Sequence, residues 1–161
     1  MVSVPQPDVP RRTVALALLL LLCIGGGALI GVTFAGQTAG YEAFDLPSWA
    51  PPSGLFGPVW TVLYTVMAVS AWLVWSQPHR FRSRALLAFA VQLALNFGWT
   101  PVFFGAGRPA LALVVIVALL LAAGWWAFES YRVRPLAGLL QLPYLAWVSF
   151  ATVLNGAIAL G

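Results

Sequence analysis

Five runs of roughly twenty apolar residues, separated by short segments that hold nearly all the charge, constrain this chain more than any other feature. They cover residues 13–34, 57–75, 85–104, 110–131 and 136–160. A helix needs about 20 apolar residues to cross the hydrocarbon of a bilayer, and each run is near that length. Charged residues make up 7% of the 161, against about a quarter in a soluble domain. Such a chain cannot cover itself with a water-compatible surface. None of the runs alternates as a barrel strand does, so helices remain as the way to satisfy the backbone in lipid. The reading is all-α: an integral membrane bundle of five transmembrane helices. It forms one domain over 13–161, with a disordered tail at 1–12 and a loop at 35–56.

The arginines orient the bundle. There is no lysine, and Arg11, Arg12, Arg80, Arg82, Arg84, Arg132 and Arg134 fall on one side if five helices alternate. Arg108 falls on the other, with Glu42 and Asp45. Positive charge collects on the cytoplasmic side, so the N-terminus is expected inside and the C-terminus outside. The net charge of +4 thus has a topological reading, and no nucleic-acid partner is expected. Arg11 and Arg12 could also begin a secretory signal. The apolar run continues past Gly25–Gly27 to Ala35, too long for a signal core, and Leu22 rather than a small residue precedes Cys23. A retained first helix is the expectation.

The inventory of reactive groups is short. It comprises His79, Cys23, Asp8, Asp45, Glu42 and Glu129. They form no cluster with metal-ligand spacing, and no nucleophile has a base nearby. No glycine-rich phosphate cradle follows a strand. Hydrolytic, metal-dependent and nucleotide-driven chemistry is therefore set aside, and no cofactor is required. Glu129, three residues before Arg132, is expected to pair with it at the membrane surface.

What the chain offers instead is aromatic surface with a few neutral polar groups. Gln92, Asn96 and Trp99 recur at i, i+4 and i+7 on the third run; Trp60, Tyr64 and Met67 repeat that spacing on the second. Trp147, Ala151 and Asn155 follow on the fifth, one turn after Pro143, which is expected to kink or loosen the helix. Amides cannot face lipid unsatisfied, so these stripes look inward, as glue between helices or as the lining of a cavity. Gly27 and Gly31 read as a close helix contact of the small-xxx-small kind. Trp72, Trp75, Trp125 and Trp126, near helix ends, read as interfacial belts. Rings with polar partners along inward faces suit a cavity for a flat hydrophobic ligand. The loop "LPSWAPPSGLFGPVWTVLY" supplies its roof: Pro47, Pro51 and Pro52 stiffen a lid, Trp49 gives it an aromatic underside, and Phe56 joins the wall that Trp60 and Tyr64 continue.

"PSWAPPSGLFGPVWTVLY", "LALNFGWTPVFFG" and "PYLAWVSFATVLN" together resemble the tryptophan-rich sensory protein / translocator protein family, also called the peripheral benzodiazepine receptor family. The match runs from Tyr41 to Asn155, about seven-tenths of the chain. The resemblance implies a five-helix bundle, often a homodimer, that binds porphyrins, sterols or synthetic benzodiazepine-type ligands in a pocket opening toward the first loop. A bacterial cell membrane is the location it implies. Carried over by motif, Trp60 and Trp147 match tryptophans implicated in porphyrin chemistry. Asn96, Trp99, Ala151 and Leu154 match pocket-lining positions, and Pro51 and Pro52 match lid prolines. The family's aromatic pair before the loop is here Gly40–Tyr41, so one lid ring is missing. The end of the chain lacks the Tyr and basic residue that animal members offer to cholesterol, which makes sterol a poorer candidate than porphyrin.

Three functions stay open at this point. The first is a membrane receptor for protoporphyrin-type tetrapyrroles, with Arg108 meeting a propionate. The second is light-dependent porphyrin oxidation with Trp60 and Trp147 as catalytic electron donors. The third is export of lipophiles, against which the odd number of spans and the absence of an internal repeat both speak.

Overall fold

Each apolar run folds as a helix, and prolines mark several of the starts. In the computed structural model, which describes residues 8–35 and 41–161, the spans are α1 (Val9–Phe34), α2 (Ser53–Trp75), α3 (Arg82–Gly105), α4 (Pro109–Val133) and α5 (Pro135–Leu160). The first turns of α1, α4 and α5 each hold a proline, where its missing N–H has no helical partner to lose. Gly107, at φ 59°, makes the turn between α3 and α4, a conformation only glycine adopts without strain. The chain is an all-α integral membrane protein.

Two boundaries differ from the sequence reading. Helix α1 begins at Val9 rather than at residue 13, because Asp8 is extended and Pro10 suits a first turn. Residues 9–12 are therefore helical, and residues 1–7 of the expected tail lie outside the described residues. Helix α2 begins with a 3-10 turn at Ser53–Leu55, inside the expected loop. Gly40, the position of the missing ring, also lies outside the described residues. The loosening expected around Pro143 is present: α5 is interrupted after Leu139 and resumes at Leu142, with Pro143 in the first turn of its second piece.

Around the bundle the helices neighbour one another in the order α1, α2, α5, α4, α3. Helix α1 is the peripheral member, and Cys23 is the one fully buried residue among its described side chains. Its first half lies on α2, where Trp72 Nε1 donates to Arg12 O at 2.9 Å. Its second half leans instead on α3. There the ring of Phe34 sits where a Cβ on Gly105 would come within 2.8 Å. Two π-helical turns, at Leu21–Gly25 and Gly31–Ala35, accompany this change of neighbour. Leaving α2 in its second half is what makes room for a cavity.

The arginine-rich end is closed by ionic and cation–π contacts. Glu129 is fully buried, with Arg84 Nε at 2.9 Å and Arg132 Nη1 at 3.4 Å from its two oxygens. The Arg132 pairing matches the sequence reading, but Arg84 from α3 makes the closer contact. The Arg132 guanidinium also lies 3.6 Å above the Phe81 ring. Trp126, read as part of an interfacial belt, is instead fully buried against Phe89 at 5.2 Å, because α4 turns it toward α3.

Candidate functional site

The polar stripes meet in the middle of the bundle. Tyr64 Oη donates to Asn96 Oδ1 at 2.6 Å, and Asn96 Nδ2 donates to Tyr144 Oη at 3.1 Å. Tyr144 Oη in turn donates to Gln92 Oε1 at 2.8 Å, while Gln92 Nε2 reaches Met67 Sδ at 3.1 Å. One chain of hydrogen bonds thus ties α2, α3 and α5, and satisfies amides that lipid could not. Beside it, Trp99 Nε1 donates to Asn155 Oδ1 at 3.0 Å and Asn155 Nδ2 to Pro109 O at 2.8 Å. Gln92 and Asn96 are therefore glue, set behind the wall of the cavity rather than in it.

In front of this network lies a cavity of about 620 Å³. That is within the range of about 300–1,000 Å³ usual for small-molecule sites. Helix α2 gives it Phe56, Trp60 and Tyr64; α3 gives Trp99 and Phe104; α1 gives Ile24, Gly27 and Gly31. Trp60 stands 5.3 Å from Tyr64, and its edge meets Tyr144 at 6.4 Å. Opposite these rings the α1 wall is low, since glycines stand where side chains would fill the space. Gly27 and Gly31 hence border the cavity: Gly27 makes the close contact expected of it, against the Tyr64 ring of α2, while at Gly31 no described residue lies within 4 Å of a Cβ position. The rim includes Ala28 and Val32 on α1 and Gly57 and Thr61 on α2, all exposed on the membrane-spanning surface. The cavity therefore opens sideways, between the diverging halves of α1 and α2.

A second void of about 20 Å³ lies deeper, lined by Ala151, Leu154 and Asn155 of α5. Tyr41, Phe56, Trp99 and Phe104 border both spaces and so partition them. Ala151 and Leu154, expected in the pocket, stand behind that partition.

The loop covers the top through aromatic contacts. Tyr41 meets Phe56 edge-on at 5.0 Å, Phe44 meets Phe103 at 5.0 Å, and Trp49 meets Phe150 at 6.0 Å. Ser53 Oγ donates to Glu42 Oε1 at 2.9 Å, joining the loop's two short 3-10 turns. Trp49 thus rests on α5 outside the cavity, half exposed. Pro51 and Pro52 lead into the turn that starts α2 and do not touch the cavity. Trp147 stands one layer back, 5.9 Å from Phe56. Arg108, expected to meet a ligand, is exposed at the start of α4 and does not border the cavity.

Sequence reasoning missed Glu42 and the whole contribution of α1, and gave Tyr41 only as the remaining ring of the lid pair. Tyr41 is buried, which pushes its phenol above the ordinary range, and its Oη has no partner among the described residues. Tyr144 was missed as well, although it precedes Ala151 by seven residues and so shares its helix face.

Comparison with known proteins adds the following. The profile of the TspO/MBR family matches residues 18–160. The translocator protein of Homo sapiens is 42% identical over 118 residues, covering 71% of this chain and 70% of that protein. The tryptophan-rich protein TspO of Chlorobaculum tepidum is 38% identical over 154 residues, covering 92% and 96%. The tryptophan-rich sensory protein of Cereibacter sphaeroides is 39% identical over 143 residues, covering 88% and 87%.

Proposed function

The chain belongs to the TspO/MBR family, and from that membership we propose that it is a membrane receptor for porphyrins or related flat hydrophobic tetrapyrroles. Its role is their sensing, transport or disposal. One observation carries the reading: a cavity of about 620 Å³ has Trp60, Tyr64, Phe56 and Trp99 along one side and glycines along the other. A broad, flat, apolar molecule needs such a slot, with rings to stack on and a low opposite wall. The sideways opening suits a ligand that arrives dissolved in the bilayer. The seven arginines at one end support a cytoplasmic N-terminus in a bacterial cell membrane.

Titration of the purified protein with protoporphyrin in the dark tests the reading through quenching of tryptophan fluorescence. Saturable quenching that weakens in a Gly31→Trp variant, which fills the slot, is expected. Quenching that never saturates, or that ignores the plug, removes the proposal.

A second reading, light-dependent oxidation of the bound porphyrin, is favoured by the placement of Trp60. Its indole borders the cavity and has Tyr64 and Tyr144 behind it. The reading takes dioxygen as the oxidant that accepts the porphyrin's electrons, with Trp60 as the first indole to pass an electron to the photoexcited ring and Trp147 second because Phe56 stands in front of it. Illumination of the protoporphyrin complex should yield a new absorbing product, lost in Trp60→Phe. Without such a product the binding role alone remains.

A further inference from the structure

The main cavity carries one charged side chain among its described lining residues, and it is negative. Glu42 borders the cavity at the loop end, with its carboxylate held by the hydrogen bond from Ser53 Oγ. Residues 36–40, outside the described part, contain no charged side chain, so the sequence adds none there. Among the described residues no arginine lines the space, and Arg108 stands exposed at the start of α4.

The polar atoms of the wall sort in the same direction. Tyr64 Oη and Trp99 Nε1 are committed to Asn96 and Asn155, and Thr61 Oγ1 donates to Gly57 O. Tyr41 Oη is buried without a partner among the described residues, one residue from Glu42 in the same turn. The loop end thus offers a carboxylate and a phenol with no partner among the described residues, while the rest of the cavity offers rings, small apolar groups and the neutral hydroxyl of Thr100.

We propose that Glu42 makes the cavity charge-selective: it admits neutral or cationic flat hydrophobic molecules and disfavours any that place a carboxylate at the loop end. The inference rests on the tetrapyrrole reading and sharpens it. A tetrapyrrole diacid is repelled by Glu42 through the propionates it brings to the loop end, and a neutral or esterified one escapes that repulsion. Glu42 is exposed at the loop end, outside the membrane-spanning segments, so screening keeps the effect to about three- to tenfold in affinity.

The test compares wild type, Glu42→Gln and Asp45→Asn, each full-length, titrated in the dark with protoporphyrin and with its dimethyl ester. Glutamine keeps an acceptor for Ser53 and removes the charge. Asparagine at 45 removes the same charge from the same loop at a residue that does not border the cavity. Glu42→Gln should tighten the diacid about three- to tenfold and leave the diester within about twofold, with Asp45→Asn changing neither. An equal response of diacid and diester, no response of the diacid, or the same response to Asp45→Asn overturns the inference. If wild type binds neither porphyrin, the tetrapyrrole reading fails. Charge selectivity is then decided with pyrenebutylamine and pyrenebutyrate: the amine must bind wild type more tightly, and Glu42→Gln must shrink that advantage. An advantage that is absent or unmoved overturns it.

Discussion

The ring of Tyr64 occupies the space that a side chain on Gly27 would need. One glycine of α1 therefore decides where the central aromatic ring of α2 can stand. The ring cannot step aside freely, because its hydroxyl is bonded to Asn96 at 2.6 Å. Gly27→Ala should cost about 1–3 kcal/mol, the usual penalty of overpacking, and lower the melting temperature in detergent. Gly31→Ala is the control, since nothing lies within 4 Å of a Cβ added there. Equal effects from the two would mean that Tyr64 does not exclude the side chain.

Tyr144 Oη both accepts from Asn96 and donates to Gln92, so it is the joint of the buried chain. Tyr144→Phe should destabilise by about 1–2 kcal/mol, at the upper end for interhelical bonds in membranes, because two amides lose a partner. Thermal unfolding measures this against Tyr131→Phe, at an exposed tyrosine near the arginine-rich end. A change no larger than that control would place the stability elsewhere.

Ala151 stands behind the partition of four rings. Ala151→Leu should therefore change protoporphyrin affinity less than about threefold, while Thr61→Trp at the rim of the main cavity lowers it more than about tenfold. The reverse order in dark titrations would show that the ligand lies on the α5 side.

Glu129 is buried, with Arg84 as its closer partner. Arg84→Ala leaves a carboxylate that only Arg132 opposes, at 3.4 Å. Removing one partner of a buried pair costs about 3–5 kcal/mol, but the Arg84 side chain is 60% exposed and Arg132 remains. The expected loss is about 1–2 kcal/mol. Glu129→Gln in the same background should recover part of it, read again by thermal unfolding. Failure of that rescue would locate the cost in lost arginine packing rather than in the stranded charge.

Length, hydropathy and arginine placement determined five membrane-spanning helices and which helix ends share a side, because the bilayer's thickness and the backbone's need for partners leave few alternatives. The spacing of Gln92, Asn96 and Trp99, and of Trp60 and Tyr64, determined that these side chains point inward. Only the tertiary structure decided their roles, since periodicity gives a face but not its neighbour. The lean of α1 from α2 to α3 opened the cavity, leaving Gly27 packed on Tyr64 and turning Gly31 from expected contact into wall. Where α2, α3 and α5 cross decided that Asn96 and Gln92 find hydrogen-bond partners, and so stand behind the rings. The loop's path placed Glu42 rather than Arg108 at the loop end of the cavity. That outcome depends on contacts between residues distant in the chain, such as Phe44 with Phe103 and Trp49 with Phe150, which no local pattern encodes.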